Sequence, residues 1–126
     1  MSTLIACVML VHFLRAANLT HTFLWAYDAD TKTAMDDIEG LGLFRGSRRE
    51  ISIGNNWTLA PSINYYRMTR HYDWLKPATR DAPTSVNFDI LLCFPEDVAE
   101  AASRYSVVKR YPRSDLELLV AHNAQP

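Results

Sequence analysis

Glycine is scarce in this chain, four residues among 126, and none sits in a G-x-x-x-x-G-K-[ST] or a strand-linked G-x-G-x-x-G pattern. A backbone cradle for nucleotide phosphates, which needs glycines for close approach, is thereby excluded. Cysteine is equally rare. Cys7 and Cys93 each lie inside an apolar run, "LIACVMLV" and "DILLCFP". Thiols so placed behave as small hydrophobes, so both are expected to be reduced core residues of a cytoplasmic protein, not parts of a secreted disulfide scaffold.

Histidine supplies no metal box either, because His12, His21, His71 and His122 include no pair at a spacing of three or four. No zinc is expected on that ground. His12 reads as a core or sheet-end residue and His122 as solvent-facing. Asp28 and Asp30 stand two apart, a spacing that suits a hard cation, but they precede a predicted helix and their charge is explained by capping and dipole compensation. There is no G-x-S-x-G elbow and no calcium-loop pattern. The sequence therefore offers no catalytic residue and no cofactor site, and a non-enzymatic reading follows.

Charge of one sign and long apolar runs are also missing. The formal net charge of -1 gives no long-range attraction to phosphate or to an anionic membrane. The apolar run Leu4 to Leu14 falls short of the roughly 20 residues a membrane span needs, and extension to Tyr27 brings in Arg15, Asn18 and two histidines. It also lacks the basic residues that precede the apolar part of a signal peptide. No membrane span is expected, and the run reads as a buried strand or helix, its β-branched and aromatic content favouring strand.

What is present is ordinary globular material: 48% hydrophobic and 21% charged residues, in a length that suits one domain over 1–126. The charge is distributed in blocks. Asp28 to Glu39 holds five acids against Lys32 alone, whereas Ile63 to Arg80 holds Arg67, Arg70, Lys76 and Arg80 against Asp73. Two such blocks can attract each other within the fold.

The C-terminal third shows the clearest pattern. "VNFDILLCF", Val86 to Phe94, is rich in strand formers and stops at Pro95. Pro95, Glu96 and Asp97 suit a helix start, Val98, Ala101, Ala102, Tyr105 and Val108 recur at helical spacing, and Tyr111-Pro112 ends the predicted helix. Asp115 to His122 follows as a strand. Core positions are expected at Ile90, Leu92, Val98, Ala102, Leu118 and Val120.

Toward the front, Leu19 to Tyr27 alternates as a strand, with His21, Phe23, Trp25 and Tyr27 on an aromatic face that could hold a small ligand. "DADTKTAMDDIEGLG" predicts a helix capped at Asp30 or Thr31, with Ala34, Met35 and Ile38 inward and Gly40 or Gly42 as its stop. "REISIGNNWTLAP" predicts a hairpin turning at Gly54-Asn55-Asn56 and ended by Pro61. This element order suggests an α+β two-layer sandwich, a mainly antiparallel sheet with two helices on one face, similar to a ferredoxin-like core with an added N-terminal strand.

One stretch fits neither period. "INYYRMTRHYDWLKP", Ile63 to Pro77, is amphipathic at neither helical nor strand spacing, and it combines Tyr65, Tyr66, Tyr72 and Trp74 with Arg67, Arg70 and Lys76. Such a segment can clad a sheet edge as a long connection. Its residue types are also those enriched at the centres of protein interfaces. The functional expectation is therefore an interaction module, a subunit, adaptor or inhibitor that binds a protein partner through these seven residues and is compatible with homo-oligomer formation. The alternatives are a single-stranded nucleic-acid binder that adds "RGSRR", Arg45 to Arg49, and a small-molecule binder or small enzyme using the aromatic face near His21.

Overall fold

The computed structural model describes residues 2–16, 23–43, 50–82 and 86–124. Four α-helices and four strands follow in the order α1 (Ser2–Ala16), α2 (Thr31–Leu41), β1 (Ile53–Asn55), α3 (Ala60–Thr69), β2 (Ile90–Cys93), α4 (Pro95–Ala101), β3 (Tyr105–Tyr111) and β4 (Leu116–Ala121), with short 3-10 turns at Phe23–Asp28 and His122–Ala124. The sheet order is β1-β2-β4-β3. β1 runs parallel to β2, and the other two pairings are antiparallel.

The class is α+β, as expected, but the arrangement differs from a ferredoxin-like core with an added N-terminal strand. The sheet is mixed, the described residues form four α-helices where two were expected, and helices cover both faces. Ile90, Leu92, Leu116 and Leu118 point to a large core shared with Ala34, Met35 and Ile38 of α2 and Ile63 of α3. Leu91, Cys93, Leu119 and Ala121 point the other way, to a smaller core closed by Ala101 and Val98 of α4. Both central strands are consequently buried along their whole length. This is why "ILLC" and "LELLV" read as nearly continuous apolar runs.

The predicted helix over residues 30–42 forms as α2. Ala34, Met35 and Ile38 are buried, and Gly42 adopts φ 65°, the left-handed conformation that closes helices and that glycine takes without strain. Asp30 is the N-cap position but sends its carboxylate elsewhere: Oδ2 accepts from Arg113 N at 3.1 Å, Ser114 N at 3.0 Å and Ser114 Oγ at 3.0 Å. The helix start is thereby tied to the β3–β4 turn. A second carboxylate sets the parallel pairing. Asp89 Oδ2 accepts from Ser52 N at 2.8 Å and Ser52 Oγ at 2.7 Å, just before the Ile53–Ile90 register begins.

Four predicted elements are corrected. Leu4 to Leu14 is helical within α1, because Leu, Met and Ala favour helix and no glycine or proline interrupts the segment. It is not buried: Ile5, Val8, Met9, Leu10, Val11, Phe13 and Leu14 are all more than half exposed, and Cys7 and His12 are exposed with them. Phe23–Asp28 is a 3-10 segment kinked at Trp25, in place of the end of a strand, while Leu19 to Thr22, His21 included, lie outside the described residues.

The hairpin does not form. Gly54, a predicted turn residue, lies within β1, where an added Cβ would come within 2.4 Å of Phe88 Cδ2 and 2.6 Å of Leu91 Cδ2. Its role is close packing. Asn56 instead makes a side-chain turn, its Oδ1 accepting from Thr58 N at 3.2 Å and Thr58 Oγ1 at 3.1 Å, and Pro61 sits in the first turn of α3, where its missing N–H costs nothing.

The predicted helix from Pro95 stops at Ala101, and Tyr105–Tyr111 is an edge strand. Tyr105, Val107, Val108 and Tyr111 favour strand, and pairing with the buried β4 outweighs their helical spacing. Ala102 is therefore exposed and Val98 only half-buried, whereas Ile90, Leu92, Leu118 and Val120 are core residues as expected. A register shift between Val107 and Lys109, with Lys109 and Arg110 exposed, breaks the regular edge that another chain could extend. No helix among the described residues is long and apolar enough to cross a membrane.

Candidate functional site

Ile63 to Pro77, expected to lack regular structure, begins as the second half of α3. Its mixed periodicity has a physical cause: the helix rests on the core by Ala60 and Ile63 and is then overlaid by the chain that follows it. The helix ends where Tyr72 N donates back to Arg67 O at 3.0 Å, with His71 at φ 55° making the reversal. The returning segment pairs with the residues just before β1 through an isolated parallel bridge between Ile51 and Leu75. Ile51 N donates to Trp74 O at 2.7 Å and Lys76 N to Ile51 O at 2.8 Å.

That returning segment is stapled to α3 by two side chains. Arg67 Nε donates to Leu75 O at 2.5 Å, and Asn64 exchanges two bonds with the Ala78 backbone, at 3.0 and 2.8 Å. The acidic and basic blocks meet here as well. Arg70 lies between the rings of Tyr66 and Tyr72, 5.2 and 5.9 Å from their centroids, pairs with Asp36 of α2, and donates to Tyr72 Oη at 3.0 Å. Tyr72 Oη in turn donates to Glu39 Oε2 at 2.6 Å. Burial, followed by that bond to Glu39, raises the Tyr72 hydroxyl above its ordinary range.

Of the seven predicted contact residues, Arg67 and Arg70 are thus occupied internally, and Tyr72 is buried against Trp74, whose ring is 5.0 Å away. Tyr66 and Trp74 are half-buried against the large core. Tyr65 and Lys76 face solvent. The stretch therefore clads the β1 edge, and Tyr65 remains its outward ring.

A second group of exposed rings adjoins it. Trp25, Trp57, Tyr65 and Met68 are between 57% and 68% exposed. Pro61, Tyr65 and Met68 occur at the i, i+4, i+7 spacing of one helical face, all exposed, and Pro61 also lines a cavity of about 250 Å³ shared with Trp25, Tyr27, Trp57, Ser62 and Arg80. The Trp25 and Tyr27 rings lie 5.9 Å apart, tilted by 33°. Asp28 holds the lining residue Ser62, its Oδ2 accepting from Ser62 Oγ at 2.6 Å. The structure thus gathers rings from residues 25, 27 and 57 beside one cation, residues expected apart on a strand face and a hairpin arm.

Asp28 and Asp30 do not act as a pair, since one holds Ser62 and the other the β3–β4 turn. Among the described residues no group of three His, Cys, Asp or Glu side chains has the arrangement of a metal site. Arg45 to Arg49 and His21 lie outside the described residues. Compared with known proteins, the chain finds no counterpart: no family model, no curated protein and no solved structure matches it.

Proposed function

We propose that this protein is a non-enzymatic interaction module that grips a protein partner through the exposed aromatic surface running from the Trp25–Trp57 cavity along α3 to Tyr65 and Met68. The observation that carries this reading is the exposure of two tryptophans around one cavity, continuous with an apolar helical face. A ring left in water forgoes the stabilisation that burying its large area would bring, and tryptophan, tyrosine and methionine are the types that concentrate binding energy at interface centres. Arg67, Arg70 and Tyr72 hold the segment in shape from within.

A second reading, stacking on single-stranded nucleic acid, is favoured by one observation: Arg80 shares the cavity with three rings. The test uses the wild-type chain and the double variant Trp25→Ala/Trp57→Ala as paired baits, with and without nuclease and across a salt series. Both substitutions are at exposed positions, so the two baits should melt alike. Loss of a nuclease-resistant protein partner from the variant alone supports the proposal. A partner held equally by both baits overturns it, and binding that vanishes with nuclease and falls steeply with salt selects the nucleic-acid reading.

A further inference from the structure

A cleft of about 760 Å³ lies on the opposite side of the sheet, between α4 and the β3–β4 pair. Its size falls within the roughly 300–1,000 Å³ that small ligands occupy. Pro95, Val98, Ala99 and Pro112 make its walls largely apolar, and Glu117 lines it from β4. Glu117 is 5% exposed, an unusual place for a carboxylate. Its Oε1 accepts from Arg110 Nε at 3.0 Å, a residue whose side chain is 74% exposed. Its Oε2 is enclosed and has no hydrogen-bond partner.

An enclosed carboxylate oxygen with no donor is costly, and the aliphatic walls supply none. Negative charge gathers around it. Asp115 lines the same cleft, and Asp97 of α4 has a second enclosed oxygen, Oδ2, without a partner. Cys93, which faces Glu117 across the β2–β4 register, senses the group directly: burial first, then the charges of Asp97, Glu117 and Glu96, push its thiol up to about 12. Arg110, reaching in from the exposed edge strand, is the cation that offsets them from within the cleft lining.

We infer that this cleft binds a primary alkylammonium group, with the charge on Glu117 Oε2 and the methylenes against Pro95, Val98 and Ala99. A single unpartnered oxygen suits a compact ammonium donor, whereas a guanidinium prefers both oxygens of a carboxylate, one of which Arg110 already holds. This site is independent of the aromatic surface on the other side of the sheet.

The test is an NMR titration of the ¹⁵N-labelled chain at neutral pH with n-hexylamine, n-hexanol and hexanoate. Only hexylamine should move the amides of residues 96–99 and 115–117, binding at least about tenfold more tightly than hexanol because a charge-assisted bond is added. Nα-acetyl-lysine methylamide, run in parallel, tells whether a lysine side chain or only a free amine is accepted, and binding by either supports the site. Glu117→Gln should weaken hexylamine at least about tenfold, and Arg110→Ala, which releases Oε1, should tighten it. Ala99→Trp, placed at an exposed position, should block the cleft without touching the core, and it decides the matter if Glu117→Gln does not fold. Equal binding of amine and alcohol, no binding of amine, or unchanged binding in Ala99→Trp would overturn the inference.

Discussion

Replacing Asp30 by alanine strips one carboxylate oxygen from three donors at once. Arg113 N–H lies in a partly exposed turn and can turn to water, so its loss costs little. Ser114 is buried, and both its N–H and its hydroxyl depend on Asp30 Oδ2 at 3.0 Å. Bonds to an ionised acceptor contribute ~1.5–3 kcal/mol each, and stranding a buried donor costs about as much, so Asp30→Ala should destabilise the fold by ~3–5 kcal/mol. No helix-cap bond is lost in addition, because the Asp30 side chain does not cap α2. Asp30→Asn keeps one carbonyl acceptor and should lose ~1–2 kcal/mol. Urea denaturation with linear extrapolation reads both values, and a double-mutant cycle with Ser114→Ala should show coupling of at least ~1 kcal/mol. A loss below ~1 kcal/mol for Asp30→Ala, or no coupling to Ser114, would refute the claim that this oxygen ties α2 to the β3–β4 turn.

Two further outcomes follow from the core and its tyrosines. Leu92, fully buried in the large core, should cost ~2–5 kcal/mol on replacement by alanine, through lost burial and the cavity left behind, and denaturant melting showing less than ~0.5 kcal/mol would contradict its place in β2. Tyr111 is held neutral, chiefly by burial and then by donating to Asp37 Oδ2 at 2.7 Å, so its hydroxyl titrates above its ordinary value near 10. The folded state therefore keeps a proton that the unfolded chain gives up. Stability should be complete below about pH 10 and decline above it by up to about 1.4 kcal/mol per pH unit, a slope that Tyr111→Phe reduces in alkaline denaturant titrations.

Legibility in the sequence followed the range over which each element is decided. α2 could be read because its signals are local: a turn residue at Asp30, inward Ala34, Met35 and Ile38, and a left-handed Gly42. β2 and β4 could be read because burial on both faces leaves continuous apolar runs. β3 has helical spacing in the sequence, because what makes it a strand is pairing with β4, which lies beyond it in the chain. α3 is not legible for a related reason, since Arg67, Arg70 and Tyr72 look like surface residues until their partners at Leu75, Asp36 and Glu39 are known. The aromatic character of the candidate surface was visible, as Tyr65 and Trp25 show. Its position was not, because the cavity is assembled from chain segments about thirty residues apart.

The two cysteines occupy opposite situations, Cys7 exposed on α1 and Cys93 enclosed between β4 and α4 with a thiol that resists ionisation. Since only a thiolate attacks disulfide and haloacetamide reagents, the folded molecule presents them with one chemical handle and withholds the other. A label can thus be placed on α1 without further engineering. Any later reaction at Cys93 would time the moments when α4 lifts from the sheet, so the chain carries its own clock of local opening.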